Sequence, residues 1–148
     1  MEQLHQKIKD VERIEYQMTT FIRRAMYVDQ TEKKIGLLER SSYLLMRHLD
    51  EHGPDQVKGM AAAFRLDLST ISRQVAVLEK KQFIDRQTSK TDKRVSVFQL
   101  TPLGEKTLRK DRALRMERYS QIVSDWSPEE RQSFGCLLER MNQAFFDL

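Results

Sequence analysis

Residues 67–100 constrain the fold most, because an amphipathic helix is followed there by two short alternating runs. Asp67 suits the start of the helix, since its carboxylate can accept hydrogen bonds from the free N–H groups of the first turn. One apolar face recurs at helical spacing and comprises Leu68, Ile71, Val75 and Leu78. The opposite face is small, polar and basic and comprises Ser69, Arg73, Ala76 and Lys80. The pattern predicts a helix over 67–81 with one buried side and one side suited to a DNA major groove.

Apolar and polar residues alternate, with a period of two, over residues 83–88 and over residues 95–100. The loop between these runs, residues 89–94, is too polar to be part of a core. Two alternating runs around a short polar loop predict a β-hairpin. Residues 67–94 contain seven basic and four acidic side chains, so this segment carries +3 of the chain's +4 formal charge. A helix followed by a hairpin with a basic tip is the layout of a winged helix.

Four short segments carry a family resemblance, and they are Leu78-Glu79-Lys80-Lys81, Phe83-Ile84-Asp85-Arg86, Asp92-Lys93-Arg94 and Leu100-Thr101-Pro102-Leu103-Gly104. At this separation they resemble the MarR family of bacterial transcription regulators. The resemblance also fits the flanking helices, so it covers nearly all of the 148 residues. One departure is Gln82, where the family usually has glycine. That position often takes a left-handed conformation, which costs a non-glycine residue on the order of 1 kcal/mol.

The flanking sequence predicts helices over residues 3–28, 37–51, 54–64, 101–124 and 128–147, with a polar connection at 29–36. Pro54 is expected at the first position of its helix. The expected fold is mainly α with a small β-hairpin wing, forming one MarR-type domain over residues 1–148. A winged helix-turn-helix DNA-binding lobe would span 37–100, and a helical dimerisation lobe would combine 1–30 with 102–148. Apolar stripes on the terminal helices favour a partner subunit, although packing within one subunit is the alternative.

The DNA-contacting residues are expected on the helix and at the hairpin tip. The N-terminal turn favours anions, so Ser69 and Thr70 are assigned to phosphates. Arg73 is assigned to base recognition, with support from Ser72 and Gln74. At the hairpin tip, Lys90 and Lys93 are expected to contact phosphates. Arg94 resembles the arginine that the family places in the minor groove. Asp92 resembles the acid that orients this arginine.

Other kinds of site find less support in the sequence. Family members often bind ligands where the two lobes meet, which makes Tyr16, Tyr43, Met46 and Tyr119 candidates for an effector site, with a role in the core as the alternative. The only cysteine, Cys136, is expected to be a buried and inert thiol. His48 and His52 are expected to form a surface pair, and no metal site, cofactor or catalytic constellation is predicted.

The sequence thus predicts a homodimeric regulator that binds a pseudo-palindromic stretch of double-stranded DNA. Repression is favoured over activation, and a small-molecule effector is implied by the resemblance alone. A polar N-terminus, one cysteine and the lack of a long apolar run suit the cytoplasm and not a membrane. The alternative is a helical module that uses a winged helix to bind protein. An enzyme is not expected.

Overall fold

Helices dominate the computed structural model, which describes residues 1–31 and 35–148. The elements are α1 (Glu2–Asp29), α2 (Arg40–His52), α3 (Val57–Phe64), α4 (Leu68–Lys80), β1 (Ile84–Thr88), β2 (Ser96–Leu100), α5 (Pro102–Ile122) and α6 (Pro128–Phe145). This confirms the predicted fold class of a mainly helical winged helix-turn-helix with one small hairpin. Residues 32–34 of the polar connection predicted over 29–36 lie outside the described residues.

The chain divides into two units, residues 1–37 and residues 38–148. Helix α1 belongs to the first unit, and none of its residues, all of which the structure describes, is buried. Its apolar stripe therefore lies open, including Leu4, Ile8, Val11 and Phe21.

The hydrophobic core of the second unit lies between residues 38 and 108. It comprises Leu38, Leu45, Met46, Leu49, Met60, Ala61, Ile71, Val75, Leu78, Ile84, Phe98 and Leu108. Helices α2, α3 and α4, both strands and the first part of α5 thus share one core. The predicted face of α4 is confirmed at Ile71, Val75 and Leu78, but the expectation for Leu68 is wrong. Leu68 is the first residue of α4 and is exposed, because the buried stripe begins one turn later at Ile71.

The connection between α3 and α4 is tight. Arg65 follows α3 in a left-handed conformation, with φ of 51°, and Asp67 caps α4 two residues later. The guanidinium of Arg65 donates to the carbonyl of Phe146 and lies 4.7 Å from the centre of its ring. The turn of the helix-turn-helix is therefore in contact with the end of α6.

The hairpin pairs β1 and β2 in antiparallel register, with Ile84 opposite Leu100 and Arg86 opposite Phe98. Asp55 adds a bridge on the other side of β2, where its N–H donates to the Phe98 carbonyl at 3.1 Å and its carbonyl accepts from the Phe98 N–H at 2.8 Å. This pairing keeps the backbone around Asp55 extended. The prediction that Pro54 starts α3 is therefore wrong, and the helix begins at Val57.

Gln82 and Gly104 form the joint between α4, the hairpin and α5. Gln82 has φ of 63°, which confirms the left-handed position expected from the resemblance. The hydroxyl of Thr101 donates to the Gln82 carbonyl at 2.6 Å and accepts from the Gly104 N–H at 3.0 Å. A Cβ on Gly104 would lie 1.9 Å from the Phe83 carbonyl oxygen. The glycine of the L-T-x-x-G motif is thus required by the close approach of two backbones.

The start of α6 is capped by Ser127 and Glu130, which form a capping box. The Ser127 hydroxyl accepts from the Glu130 N–H at 3.1 Å, and the Glu130 carboxylate accepts from the Ser127 N–H at 2.8 Å. The Ser127 N–H, followed by the Ser127 hydroxyl, lowers the pKa of the Glu130 carboxyl below its ordinary value. The capping box fixes where α6 begins, but α6 contributes no buried residue to the core of the described chain.

Replacing Gln82 with glycine should stabilise the protein. Relief of the left-handed strain is worth about 1–2 kcal/mol, and the larger entropy of glycine in the unfolded chain returns about 0.5–1 kcal/mol. The net gain expected in the free energy of unfolding is therefore roughly 0.5–1 kcal/mol, measured by urea denaturation. Gln132→Gly, at an exposed position inside α6, is the matched control and should lose roughly that amount. A loss of stability in Gln82→Gly would contradict the strain at this joint.

Candidate nucleic-acid interface

The first turn of α4 is organised by the carboxylate of Asp67. It accepts hydrogen bonds from the Thr70 N–H at 3.1 Å, from the Thr70 hydroxyl at 2.6 Å and from the Ser69 hydroxyl. The Ser69 hydroxyl, followed by the Thr70 hydroxyl and N–H, holds the pKa of Asp67 well below its ordinary value. Both hydroxyl groups assigned to phosphates by the sequence are therefore engaged with Asp67 in the free protein.

The exposed face of α4 carries the residues assigned to base recognition. Ser72 and Arg73 are exposed, and Arg73 Nη2 lies 3.4 Å from the Thr70 hydroxyl. Gln74 is half-buried and turned toward the start of α2. A hollow of about 140 Å³ lies there, lined by Glu39, Ser41, Ser42, Arg73, Gln74 and Val77. Arg73 is thus placed at the boundary between the open face of α4 and the start of α2.

The tip of the wing is ordered by its own side chains. Asp92 Oδ1 accepts from the Arg94 N–H at 3.0 Å and from Arg94 Nε at 3.4 Å. The Ser89 hydroxyl accepts from the N–H groups of Thr91 and Asp92 at 3.3 and 3.4 Å. The Arg94 side chain nevertheless remains 91% exposed. The geometry matches the expected relation of an acid that orients an open arginine, and Lys90 and Lys93 are exposed beside them.

Arg86 connects the hairpin to α4 and was not among the predicted DNA-contacting residues. Its Nη2 atom donates to Glu79 Oε1 at 3.3 Å, and its guanidinium lies 5.1 Å from the centre of the Phe98 ring. The alternation of β1 places Arg86 on the opposite face from Asp85 and directly across from Phe98. That register is the one pattern from which this contact could have been anticipated.

The four candidate effector residues have different environments. Tyr16 lies on α1 in the first unit and is exposed, and Tyr119 is exposed on α5. Met46 is fully buried in the core of the second unit. Tyr43 is half-buried and borders a surface hollow of about 310 Å³. The other lining residues of this hollow are Leu44, Arg47, His48, Glu51, His52 and Phe64.

The two histidines form the expected pair, whereas the cysteine differs from expectation. His48 is half-buried, with Nε2 2.9 Å from Asp55 Oδ2, and its ring stacks on that of His52 at 4.6 Å. Across residues 1–31 and 35–148, no group of three or more metal-ligating side chains comes together. Cys136 is exposed, so the expectation that it is buried is wrong for the chain described. Its helix α6 contributes no residue to the core.

These features define a winged helix-turn-helix protein of the DNA-binding class, in which α3 and α4 form the helix-turn-helix and β1 and β2 the wing. The sequence model of the MarR family matches residues 38–96. The HTH-type transcriptional regulator YxaD of Bacillus subtilis (strain 168) is 56% identical over 137 residues, which cover 93% of this chain and 96% of that relative. The chain therefore belongs to the MarR family of DNA-binding transcriptional regulators.

Solved structures show the same fold. The PcaV transcriptional regulator from Streptomyces coelicolor, in complex with its natural ligand, is 19% identical with a TM-score of 0.70 and covers 86% of this chain and 90% of that chain. FabT from Streptococcus pneumoniae, in complex with DNA, is 19% identical with a TM-score of 0.69. The match covers 92% of this chain and 97% of that chain.

In the described part of this chain, no helix is long and apolar enough to cross a membrane.

The charge of Asp67 should contribute to stability in a pH-dependent way. Because the folded pKa lies below the ordinary value of 3.8, the contribution is present above that pH and is lost as the pH falls further. The wild type should therefore have a higher melting temperature than Asp67→Asn at pH 7. The difference between the two melting temperatures should narrow below pH 3.8. Thermal unfolding followed by circular dichroism from pH 7 to 3 measures this, with Asp85→Asn on β1 as the control. A gap that is independent of pH would contradict the assignment.

Proposed function

We propose that this chain is a homodimeric repressor that binds a pseudo-palindromic operator through α4 and the wing. The observation that carries the proposal is the polar, arginine-bearing open face of α4 together with a wing arginine that Asp92 holds in place. Family membership supports DNA binding as the activity. The proposed place of action is the cytoplasm.

Helix α4 would lie in the major groove. Arg73 can donate two hydrogen bonds to a guanine edge, a contact that discriminates between bases by about 1–3 kcal/mol. Ser72 is exposed beside it, whereas the half-buried Gln74 would have to leave the hollow near α2 to assist. Ser69 and Thr70 would reach phosphates once their hydroxyl groups exchange Asp67 for the DNA backbone.

The wing would reach the neighbouring minor groove. A narrow, A·T-rich minor groove has an enhanced negative potential that attracts arginine. Arg94 is exposed and tethered at two of its nitrogen atoms by Asp92, so less freedom is lost when it binds. Lys90 and Lys93 would add phosphate contacts. FabT, whose fold this chain shares, is described in complex with DNA, which supports the assignment of this lobe.

The dimer would form through the apolar residues that the described chain leaves exposed. They comprise Leu4, Ile8, Val11, Phe21 and Ile22 on α1, Met116, Tyr119 and Ile122 on α5, and Phe134, Leu137 and Phe145 on α6. Large exposed apolar patches mark interaction surfaces. A two-fold dimer would place its two α4 helices about 34 Å apart, one turn of DNA.

The proposal includes a small-molecule effector. This part of the proposal rests on PcaV, which shares the fold and is described with its natural ligand. Of the four candidates, Tyr43 borders an open hollow, Tyr16 and Tyr119 are exposed, and Met46 would require the core to open. Release of DNA by such a ligand would relieve repression of genes next to the operator.

Removing the Arg73 side chain and removing the Arg94 side chain should affect DNA binding in different ways. Arg73→Ala should reduce affinity for the operator by roughly five- to 150-fold, corresponding to about 1–3 kcal/mol, with little effect on random duplex. Arg94→Ala should weaken both and reduce the slope of log K against log salt by about one unit, because one phosphate-neutralising charge is lost. Titrations of the selected operator and a scrambled duplex at several salt concentrations measure both effects.

The control for these titrations is Arg109→Ala, which removes one exposed arginine from α5 and should leave the operator-to-scrambled ratio unchanged. Asp92→Ala should resemble Arg94→Ala in a milder form. If Arg73→Ala keeps the full specificity ratio, α4 does not recognise bases through this residue. If the wild type shows no salt-dependent binding to any duplex, binding of protein by the winged helix becomes the better explanation.

Leu137→Glu should dissociate the dimer without unfolding the chain. Leu137 is exposed on α6, so a charge is tolerated in one chain but is buried when two copies meet. The lost apolar burial is worth about 2 kcal/mol per copy, and sedimentation should show a dissociation constant raised by roughly a thousandfold. Gln132→Glu on the same helix is the control. A wild type that sediments as a monomer at micromolar concentration would exclude the proposed dimer.

A further inference from the structure

An ion pair between Asp111 and the half-buried Arg115 joins α5 to the segment that leads into α2. The side chain of Asp111 is fully buried, and a buried carboxylate is tolerated only with compensating partners. Its Oδ1 atom accepts from the N–H of Leu38 at 3.2 Å, and its Oδ2 atom accepts from Arg115 Nε at 2.8 Å. Asp111 therefore binds the backbone of the segment before α2 as well as a side chain of its own helix.

Arg115 completes the contact with the same segment. Its Nη2 atom donates to the carbonyl of Leu38 at 2.9 Å, and its guanidinium lies 4.0 Å from the centre of the Tyr43 ring. Both backbone polar atoms of Leu38 are thus bound by one aspartate–arginine pair from α5. The side chain of Leu38 is itself buried in the core, so the segment is held from both sides.

The pair is better suited to fixing the orientation of α5 than to stabilising the fold. Replacing a buried ion pair with apolar residues of similar size is often neutral or stabilising, because the cost of removing two charges from water offsets their attraction. Hydrogen bonds, in contrast with apolar contacts, depend on angle as well as distance. The hydrogen bonds from this pair to the backbone of Leu38 therefore restrict how α5 is oriented against the start of α2.

The position of the pair connects two functional surfaces. Glu39, the next residue after Leu38, lines the hollow that also contains Arg73 and Gln74 of α4. On α5, Met116, Tyr119 and Ile122 follow Arg115 within two turns and are exposed on the proposed dimer surface. A change in the angle between α5 and the segment around Leu38 would therefore change the separation of the two α4 helices in a dimer.

We propose that Asp111 and Arg115 are positioning residues that set the half-site spacing which the dimer accepts in its operator. The inference rests on the proposed homodimer. DNA bound by two rigidly held helices favours one centre-to-centre distance, whereas loosely held helices accept neighbouring distances. Without the pair, each DNA-binding lobe keeps its contacts but the spacing preference broadens.

The experiment measures binding to operator duplexes whose half-sites are moved apart or together by one and two base pairs. The operator is first obtained by selection from random duplexes with the wild type. Arg115→Met and Asp111→Asn should lower the ratio of affinity for native spacing over shifted spacing at least tenfold, with affinity for a single half-site unchanged. Arg118→Met, an exposed arginine three residues further along α5, is the matched control and should keep the wild-type ratio.

A double variant separates positioning from packing. Asp111→Leu combined with Arg115→Met removes both charges and should recover the melting temperature lost in a single variant. It should still show the broadened spacing profile, because apolar contacts do not restore the hydrogen bonds to Leu38. Recovery of both properties, or single variants with the wild-type profile in a dimeric protein, would overturn the inference alone. A monomeric wild type would overturn the homodimer and this inference together.

Discussion

The open face of α4 depends on the burial of its other face. Ile71, Val75 and Leu78 are almost wholly inaccessible to solvent and pack into the core formed by α2, α3, the hairpin and the first part of α5. Because these residues recur at helical spacing, their burial determines which residues of α4 stay in solvent. Arg73 is exposed as a direct consequence. The proposed recognition face and the buried face thus occupy opposite sides of one 13-residue helix.

Periodicity predicted the elements of this fold better than their ends. Both alternating runs became strands, and the predicted capping residue Asp67 begins its helix. The errors arose where distant residues decide the local structure. Pro54 does not start α3, because Asp55 pairs with Phe98, more than forty positions away in the sequence. Leu68 fits the apolar period but lies outside the packed region.

The sequence proposed the residue types of the candidate site but gave only part of their hydrogen bonding. Resemblance to a family related Asp92 to Arg94, and the geometry agrees with it. The engagement of Ser69 by Asp67 was not anticipated, because several acceptors compete for a hydroxyl and the sequence does not rank them. Asp111 was missed entirely, since a charged residue on a polar helix is normally taken to be solvated.

The bridge between Asp55 and Phe98 also affects how this protein behaves at high concentration. A two-stranded hairpin has two outer edges, and unpaired backbone groups on an edge invite pairing with another molecule. On β2, Asp55 occupies both backbone groups of Phe98, at the middle of the strand. On β1, the exposed charges of Asp85 and Arg86 oppose the approach of another strand. These features disfavour intermolecular sheet formation through the wing.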